Sequence, residues 1–182
     1  MALSATIYTF DITLNDADRG VYEALSFRVA RHPSETEEFL LTRVFAYCLE
    51  YAEGIQFSKG LSEPDAPALA VRDLTGTLLT WIDVGAPEAE RLHRAAKSAR
   101  RVAVYAHRDV AALLARLRAA KVHRAADIEV HAVDRDLLAA LVARLARRMN
   151  FDFAVADRHL FLTLGEETLS GGVELHRIDP AA

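Results

Sequence analysis

The feature that most constrains the fold of this chain is a regular alternation of strand and helix patterns between residues 77 and 148. Three short apolar runs have the length and composition of buried strands, and a helical pattern follows each of them. The runs lie at residues 77–84, 102–106 and 128–133, and the helices at 87–100, 109–120 and 134–148. Because a crossover helix leads from one strand to a parallel neighbour, this order predicts a parallel section of sheet with flanking helices.

Strand patterns also occupy both ends of the chain. The first two alternate around turn-forming residues 15–20 and predict an N-terminal hairpin. Predicted strands at the ends lie at residues 3–14, 22–31, 151–156, 159–164 and 173–178, with a turn at 170–172. We therefore predict one α/β domain over residues 1–182, with a mixed sheet and an additional antiparallel layer built from the N-terminal hairpin and the C-terminal tail.

A further helix is predicted between the hairpin and the central strands. Ser34 and Glu37 have the spacing of a capping box, so we expect Ser34 to be the N-cap and the helix to reach about Ala52. Glu38 falls within about 50° of the centre of the apolar stripe, which directs its carboxylate along the core-facing side. A short strand at residues 55–59, a loop at 61–68 and a strand at 69–73 follow.

Composition excludes several classes of protein. The net charge of −4 argues against a general nucleic-acid coat protein, although it does not exclude a local basic cleft. The single cysteine, Cys48, excludes an internal disulfide and a Cys-rich zinc site. The sequence contains no Walker loop, no dinucleotide-binding glycine motif, no zincin motif and no serine-hydrolase elbow.

The N-terminal residues predict a location. Residues 1–14 have no basic segment and carry Asp11 within their apolar part, unlike a signal peptide. No apolar run approaches the roughly 20 residues that a membrane-spanning helix requires. We therefore expect a cytoplasmic location and no membrane partner.

Acidic side chains and one lysine collect around the short strands between Gly54 and Gly85. The lysine is Lys59, and the acids are Glu63, Asp65, Asp73 and Asp83. Carboxylates and a lysine brought together at strand ends are what a Mg²⁺ site for phosphodiester chemistry needs. Ordinary turns contain the same residue types, so the composition of this stretch alone leaves both interpretations open.

Asp83 and Lys59 each have two interpretations. Asp83 shares a strand face with Leu79 and Trp81, where it is either a residue leaving the core at the strand end or a metal ligand. Lys59 is either a solvated surface lysine or a cation that stabilises the transition state and helps to deprotonate the attacking water.

Basic side chains add candidate phosphate contacts. These are Arg31, Arg43, Arg72, Arg91 and Arg94, although solvated arginines would show the same pattern. His32, beside Pro33, could either orient the entry to the helix or touch a ligand.

Four motifs in fixed order make the chain resemble the YaeQ family of small bacterial proteins. They are Arg31-His32-Pro33-Ser34-Glu35-Thr36, Phe57-Ser58-Lys59-Gly60-Leu61, Asp73-Leu74-Thr75-Gly76 and Trp81-Ile82-Asp83-Val84-Gly85. The resemblance covers nearly the whole chain. It implies a fold similar to the PD-(D/E)XK, or restriction-endonuclease-like, nucleases.

Carried over to this sequence, the nuclease motif fits with departures. Its helix glutamate corresponds to Glu38 or Glu35, and its Pro-Asp element to Pro67-Ala68 or Pro64-Asp65. Its last element corresponds to Asp83-Val84-Gly85, where glycine replaces the lysine. Gly85 is expected to face the same side as Asp83 and to leave space that Lys59 fills, with Arg94 or Lys97 as other cations.

The resemblance implies a Mg²⁺-dependent phosphodiesterase site with Asp83 and Glu38 as metal ligands and Asp65 or Asp73 assisting. Lys59 would be the catalytic cation, and Glu35 the other candidate glutamate. Further binding residues would be Arg31, His32, Ser34, Ser58 and Arg94. A competing hypothesis is a non-catalytic module that binds nucleic acid or a protein through the same cleft, since Ala68 and Gly85 depart from the motif. A third is a structural network from Arg31 to Lys59 that binds no ligand.

Overall fold

A computed structural model describes residues 4–58 and 65–178 of the chain, and these residues form four α-helices and ten strands. The strands are β1 (Thr6–Asp16), β2 (Val21–Arg31), β3 (Ile55–Phe57), β4 (Leu69–Arg72), β5 (Leu78–Val84), β6 (Arg101–Ala106), β7 (Glu129–Val133), β8 (Arg148–Ala156), β9 (His159–Leu164) and β10 (Glu167–Arg177). The helices are α1 (Glu37–Leu49), α2 (Ala89–Ser98), α3 (Val110–Ala119) and α4 (Arg135–Val142).

All ten strands belong to one mixed sheet in the order β2-β1-β8-β9-β10-β7-β6-β5-β4-β3. Strands β5, β6 and β7 are parallel, as the sequence predicts, and β1 and β2 form the predicted antiparallel hairpin. The N-terminal hairpin and the C-terminal strands pair with each other, as predicted, but not as a separate antiparallel layer. Strand β8 pairs with β1 in parallel, and β10 joins these strands to the rest of one sheet. Strand β10 is long enough to pair with β9 through its first half and with β7 through its second.

The sheet curls until its two end strands approach each other. The ring centroids of Phe27 on β2 and Phe57 on β3 are 5.5 Å apart, and Tyr47 of α1 packs between the two strands at 4.4 and 4.8 Å from these rings. Helices α1 and α4 pack on the concave face, and α2 and α3 pack on the convex face. Because side chains alternate along a strand, Ile82 and Val84 face α1 whereas Trp81 faces the opposite side.

Helix α1 begins and ends at other residues than the sequence predicts. Thr36, not Ser34, is its N-cap, and the Thr36 hydroxyl accepts the N–H of Phe39 at 3.1 Å. At the other end, the Arg19 guanidinium donates to the carbonyl of Cys48 at 3.2 Å, and the helix ends at Leu49. A side chain distant in sequence therefore satisfies a terminal carbonyl, and the capping-box prediction is wrong.

Helix α4 is shorter than predicted, and the strands beside it are longer. Asp134 caps the helix as expected, accepting the N–H of Leu137 at 2.8 Å. The predicted turn at residues 170–172 is instead part of β10. A Cβ added at Gly171 would lie 2.8 Å from Cβ of Leu137, so the glycine permits α4 to pack closely on the strand. None of the described helices is long and apolar enough to cross a membrane.

Candidate functional site

Asp83 lies on the convex face of β5 and is almost fully buried, with 2% of its surface exposed. Its Oδ2 accepts hydrogen bonds from Nε1 of Trp81 and Nε of Arg91, both at 2.8 Å. Its Oδ1 accepts from Nη2 of Arg91 at 2.8 Å and from the backbone N–H of Ala68 at 3.3 Å. The Arg91 guanidinium also donates to the carbonyl of Ala66 at 2.6 Å and lies 5.4 Å from the centroid of the Trp81 ring.

This arrangement does not fit a Mg²⁺ ion at Asp83. Mg²⁺ binds through carboxylate oxygens in a near-octahedral shell, and both oxygens of Asp83 are occupied by a guanidinium held in bidentate geometry. The positive charge of Arg91 stands where the ion would have to bind. Ala68 contributes only its backbone N–H, which is a donor and not a metal ligand.

The structure does not bring Asp83 and Glu38 together. Asp83 faces α2 on the convex side of the sheet, whereas Glu38 lies in the first turn of α1 on the concave side. A hydrogen bond from its own backbone N–H lowers the pKa of Glu38, with further contributions from Thr36, Arg108 and His107. The carboxylate of Glu38 is therefore held ionised beside two basic groups.

Four of the predicted site residues form a compact network at the entry to α1. The Glu35 carboxylate accepts the backbone N–H of His32 at 3.0 Å and Nη2 of Arg43 at 2.9 Å. Arg31 donates to the carbonyl of Glu35 at 2.9 Å, and His32 Nδ1 lies 2.7 Å from the Ser34 hydroxyl. These contacts hold the loop before α1 in place. They match the hypothesis that Arg31 and its neighbours form a structural network.

Lys59 and Glu63 lie outside the described residues, and so does Pro64. Ser58, which precedes Lys59, is half-buried, and its N–H donates to the carbonyl of Ala68 at 3.0 Å. The role of Lys59 as a catalytic cation therefore stays a prediction.

The other predicted acids lie apart from Asp83. Asp65 is exposed, lies 3.5 Å from Arg94 and acts through its charge on Arg91. Asp73 accepts hydrogen bonds from the backbone N–H groups of Thr75 and Thr77, both at 2.9 Å, which stabilises the turn between β4 and β5.

Gly85 does not leave space beside Asp83, and that prediction is wrong. Its φ of +88° takes it out of the strand alternation. A Cβ added at Gly85 would lie 3.4 Å from the Phe39 ring and 4.0 Å from Cε1 of His107, on the side of α1. The absence of a side chain at Gly85 therefore opens a different part of the molecule.

That part is a cleft of about 570 Å³ between the N-terminal ends of α1 and α3, which we call the α1–α3 cleft. Its walls include Ser34, Glu35, Phe39, Gly85, His107, Arg108, Ala112 and Arg116. The cleft lies where β5 and β6 end, and ligands of α/β proteins commonly bind outside the carboxyl ends of parallel strands. Two helix N-termini, which favour anions, open onto it.

His107 is the buried polar group of this cleft. Only 7% of its surface is exposed, and its Nδ1 has no hydrogen-bond partner in the part of the chain that the structure describes. Burial, followed by the charge of nearby Arg108, lowers the pKa of His107, and Glu38 partly opposes this effect. The imidazole is therefore neutral at neutral pH and has unused hydrogen-bonding capacity.

Arg108 is one of two exposed cations that line the cleft, with Arg116. It makes no hydrogen bond or salt bridge to any residue in the ranges 4–58 and 65–178. By contrast, Arg116 holds the loop after β5 through the carbonyls of Ala86 and Pro87 at 3.1 and 2.9 Å. The guanidinium of Arg108 is thus available to a ligand.

A second cleft of about 470 Å³, the β6–β7 cleft, adjoins the first and shares its residues His107, Arg108 and Asp109. Arg135 and His176 add basic groups to its walls. Sequence reasoning missed these groups, although a usable signal existed. His107, Arg108 and Asp109 directly follow a buried parallel strand, which places them at the carboxyl edge of the sheet.

The concave side holds a further polar cavity of about 300 Å³, the Arg101 cavity. Oxygen and nitrogen atoms of Glu50, Glu129 and His131 lie within 4.8 Å of one another there, a spacing that could hold a metal. Arg101, however, forms salt bridges with both glutamates, and the Tyr105 hydroxyl donates to Glu50 at 2.8 Å. This centre is closed by a guanidinium in the same way as Asp83.

Sequence comparison relates this chain to known proteins. The family model described as "YaeQ protein" matches residues 1–172. The chain belongs to the YaeQ family. The uncharacterized protein YaeQ of Escherichia coli K12 is 33% identical over 165 residues, covering 90% of this chain and 91% of the relative. Its counterpart in Salmonella typhi is 32% identical over 164 residues, with the same coverage of 90% and 91%.

Two solved YaeQ structures share the fold. The YaeQ protein from Pseudomonas syringae superposes with a TM-score of 0.86 at 32% identity, covering 97% of each chain. The YaeQ protein from Xanthomonas axonopodis pv. citri superposes with a TM-score of 0.81 at 28% identity, covering 97% of this chain and 100% of the other. The family resemblance inferred from the four motifs is confirmed.

Proposed function

We propose that this YaeQ-family chain is a nucleic-acid-binding module on a PD-(D/E)XK-like core. The α1–α3 and β6–β7 clefts would together form its phosphodiester-binding groove. The observation that carries the proposal is Arg108 at the junction of the two clefts, an exposed guanidinium without a hydrogen bond or salt bridge among the described residues. Arginine is well suited to bind phosphate because its planar donors match two phosphate oxygens.

The order of elements supports the nuclease-like core. From α1 to β6 the chain runs as a helix, three antiparallel strands, a helix and a strand parallel to the last of the three. This is the order that the resemblance led us to expect. Ala68 and Gly85 depart from the nuclease motif, at the positions of an acid and of the lysine. These departures favour binding over catalysis on such a core.

Local electrostatics support an anionic ligand despite the net charge of −4. Arg108 and Arg135 contribute positive charge, and the N-termini of α1 and α3 lie at the cleft with the positive ends of their helix dipoles. Phosphate contacts supply most of the sequence-independent affinity of proteins for nucleic acid. The carboxylates of Glu35, Asp109 and Glu174, which also line the clefts, and that of nearby Glu38 limit this field. We therefore expect moderate affinity that falls as salt rises.

Metal-dependent cleavage at Asp83 is the competing function. It would require Arg91 to leave a bidentate ion pair that has almost no solvent access, and such a pair is costly to break from one side. Binding through Arg108 requires no existing contact to break. The geometry therefore supports the binding function better.

The test is fluorescence anisotropy with labelled DNA and RNA oligonucleotides, both single-stranded and duplex, at fixed low salt. Arg108→Ala should weaken binding roughly tenfold, as expected for the loss of one charged hydrogen-bonding group. Arg118→Ala, an exposed arginine on α3 outside both clefts, is the matched control and should bind as wild type does. Equal affinity of wild type and Arg108→Ala would contradict the proposal.

The same oligonucleotides test cleavage. Incubation with Mg²⁺ or Mn²⁺ should leave them intact. Cleavage that is lost both in Asp83→Ala and in Lys59→Ala would instead establish the catalytic alternative, provided that both variants are folded by circular dichroism.

A further inference from the structure

The α1–α3 cleft combines two kinds of surface that one simple ligand would not use. Its floor is formed by the Phe39 ring, the backbone of Gly85 and the side chains of Ala112 and Leu113. Its rim carries the unpaired Arg108, next to the N-termini of two helices. A bare phosphate would leave the apolar floor without contacts, and an apolar molecule would leave the cationic rim without a partner.

His107 shows that the cleft is suited to a ligand with polar edges. It is more than nine-tenths buried, lines the cleft wall, and keeps Nδ1 without a partner among the described residues. Its ring lies edge-on to the Phe39 ring, with centroids 6.2 Å apart and planes at 78°. An unpaired buried nitrogen costs free energy. Because Nδ1 is closed to solvent in the unliganded structure, a ligand recovers that cost only if the imidazole turns towards the cleft.

We propose that the α1–α3 cleft accepts one unstacked nucleobase of a nucleoside phosphate, with the phosphate on Arg108 and the base against Phe39 and His107. This inference rests on the proposed function and specifies what its cleft recognises. The cleft volume of about 570 Å³ lies within the range of small-ligand sites and suffices for one nucleotide. Heteroaromatic bases stack on or pack against aromatic side chains and carry hydrogen-bonding edges, so they use the floor and His107 together.

A nucleobase site in the cleft predicts a preference for single-stranded over duplex nucleic acid. A base inside a duplex is paired and stacked, so it would have to be extruded before it could enter the cleft, whereas a base in a single strand is accessible. The chain should therefore bind single strands more tightly than duplexes of the same length. Phosphate contacts alone would not favour the single strand, because a duplex carries the higher charge density.

The experiment fills the cleft without changing its charge. Ala112 is exposed on α3 and lines the cleft, so Ala112→Phe should occupy the space of the base. Ala115→Phe, on an exposed position of the same helix outside the cleft, is the matched control. The probes are a single-stranded oligonucleotide, its duplex, and nucleoside monophosphates as competitors.

We expect Ala112→Phe to lower affinity for the single strand at least tenfold, to the level of the duplex, and Ala115→Phe to bind as wild type does. If nucleoside monophosphates displace the oligonucleotide and bind as tightly as it does, the natural ligand is a free nucleotide. That result would still support the nucleobase site. Much weaker competition would identify a polymer.

Two other outcomes are distinct. Equal binding of single strand and duplex, unaffected by Ala112→Phe, would overturn the nucleobase site while leaving phosphate binding intact. No binding of any of these probes by wild type would overturn both this inference and the proposed function.

Discussion

The Asp83 centre and the α1–α3 cleft lie at neighbouring positions on β5 and β6, yet their charged groups are arranged in opposite ways. At Asp83 both carboxylate oxygens and the facing guanidinium are paired with each other and with backbone groups. In the cleft, Arg108 makes no hydrogen bond or salt bridge with any described residue, and Nδ1 of His107 makes no hydrogen bond with one. The first centre is saturated by the protein itself, and the second can still bind a ligand.

The Arg101 cavity belongs with the Asp83 centre in this comparison. There too an arginine lies between acidic groups, Glu50 and Glu129, that would otherwise be able to bind a cation. An acidic residue in an unexpected buried position therefore identifies a structural ion pair at both centres. Groups that lack hydrogen-bond partners, rather than acidic groups as such, distinguish the proposed ligand site.

The largest effect is expected from breaking the Asp83–Arg91 pair. Arg91→Ala should lower the free energy of unfolding by about 3–5 kcal/mol, because it leaves a buried carboxylate without its counter-charge. Urea denaturation measures this difference. Arg94→Ala, which removes an exposed arginine of the same helix, should change it by less than about 0.5 kcal/mol.

A double variant that removes the charges of both Asp83 and Arg91 tests whether the cost of Arg91→Ala comes from the unpaired carboxylate. Asp83→Leu combined with Arg91→Met should cost less than Arg91→Ala alone, because no uncompensated charge remains buried. A single Arg91→Ala variant as stable as wild type would show that Asp83 is not closed by this contact.

A smaller effect on the free energy of unfolding is expected at low pH, where the Arg101 cavity loses the charge of Glu129. A hydrogen bond from His131, followed by those from Arg101, lowers the pKa of Glu129 from 4.5 to about 2. Because the folded-state pKa is the lower one, the ionised group stabilises the fold above pH 4.5, and this contribution is lost as pH falls towards 2. Glu129→Gln should therefore flatten the decline of unfolding free energy between pH 5 and 2.

Urea denaturation at several pH values measures that slope. Glu174→Gln, at an exposed glutamate, should leave the slope as in wild type. An unchanged slope in Glu129→Gln would mean that the cavity does not hold its carboxylate ionised.

The smallest effect concerns the cleft. His107 is faced by Arg108 after β6, by Glu38 of α1 and by Arg135 of α4, and burial keeps its pKa low. A bound phosphate would favour the protonated imidazole, so binding should take up a proton and strengthen a few-fold as pH falls from 7.5 to 6. Anisotropy titrations of His107→Gln should lose this pH dependence.

Two controls isolate that effect. His176→Gln tests the other histidine of the adjoining cleft, and His159→Gln tests one on β9, outside both clefts. Retention of the full pH dependence in His107→Gln would place the linked proton elsewhere.

Local patterns in the sequence were sufficient to predict the parallel strands and the N-terminal hairpin. Buried strands such as β6 read as apolar runs, and Asp134 is a recognisable cap because its partner, Leu137, is three residues away. The path of β10 could not be predicted, because its pairing with β7 depends on residues distant along the chain. The start of α1 was misassigned because Ser34 pairs with His32 rather than with the helix.

The site was harder to predict than the fold. Asp83 was singled out correctly as unusual, but its partner Arg91 lies on the next helix, and only the packing of α2 on β5 shows that the pair is closed. Pairing of that kind depends on tertiary geometry. His107 and Arg108 could have been found from their place after β6, since strand order alone locates the carboxyl edge of a parallel sheet.

The most direct test of the contrast between the closed and the open centre is a nuclear magnetic resonance titration of ¹⁵N-labelled chain with a single-stranded oligonucleotide. We expect the largest amide shifts at Phe39, Ala86, Arg108 and Ala112, and little change at Ala66, Asp83 and Arg91. Shifts concentrated at Asp83 and Arg91, with the cleft residues unchanged, would contradict the account.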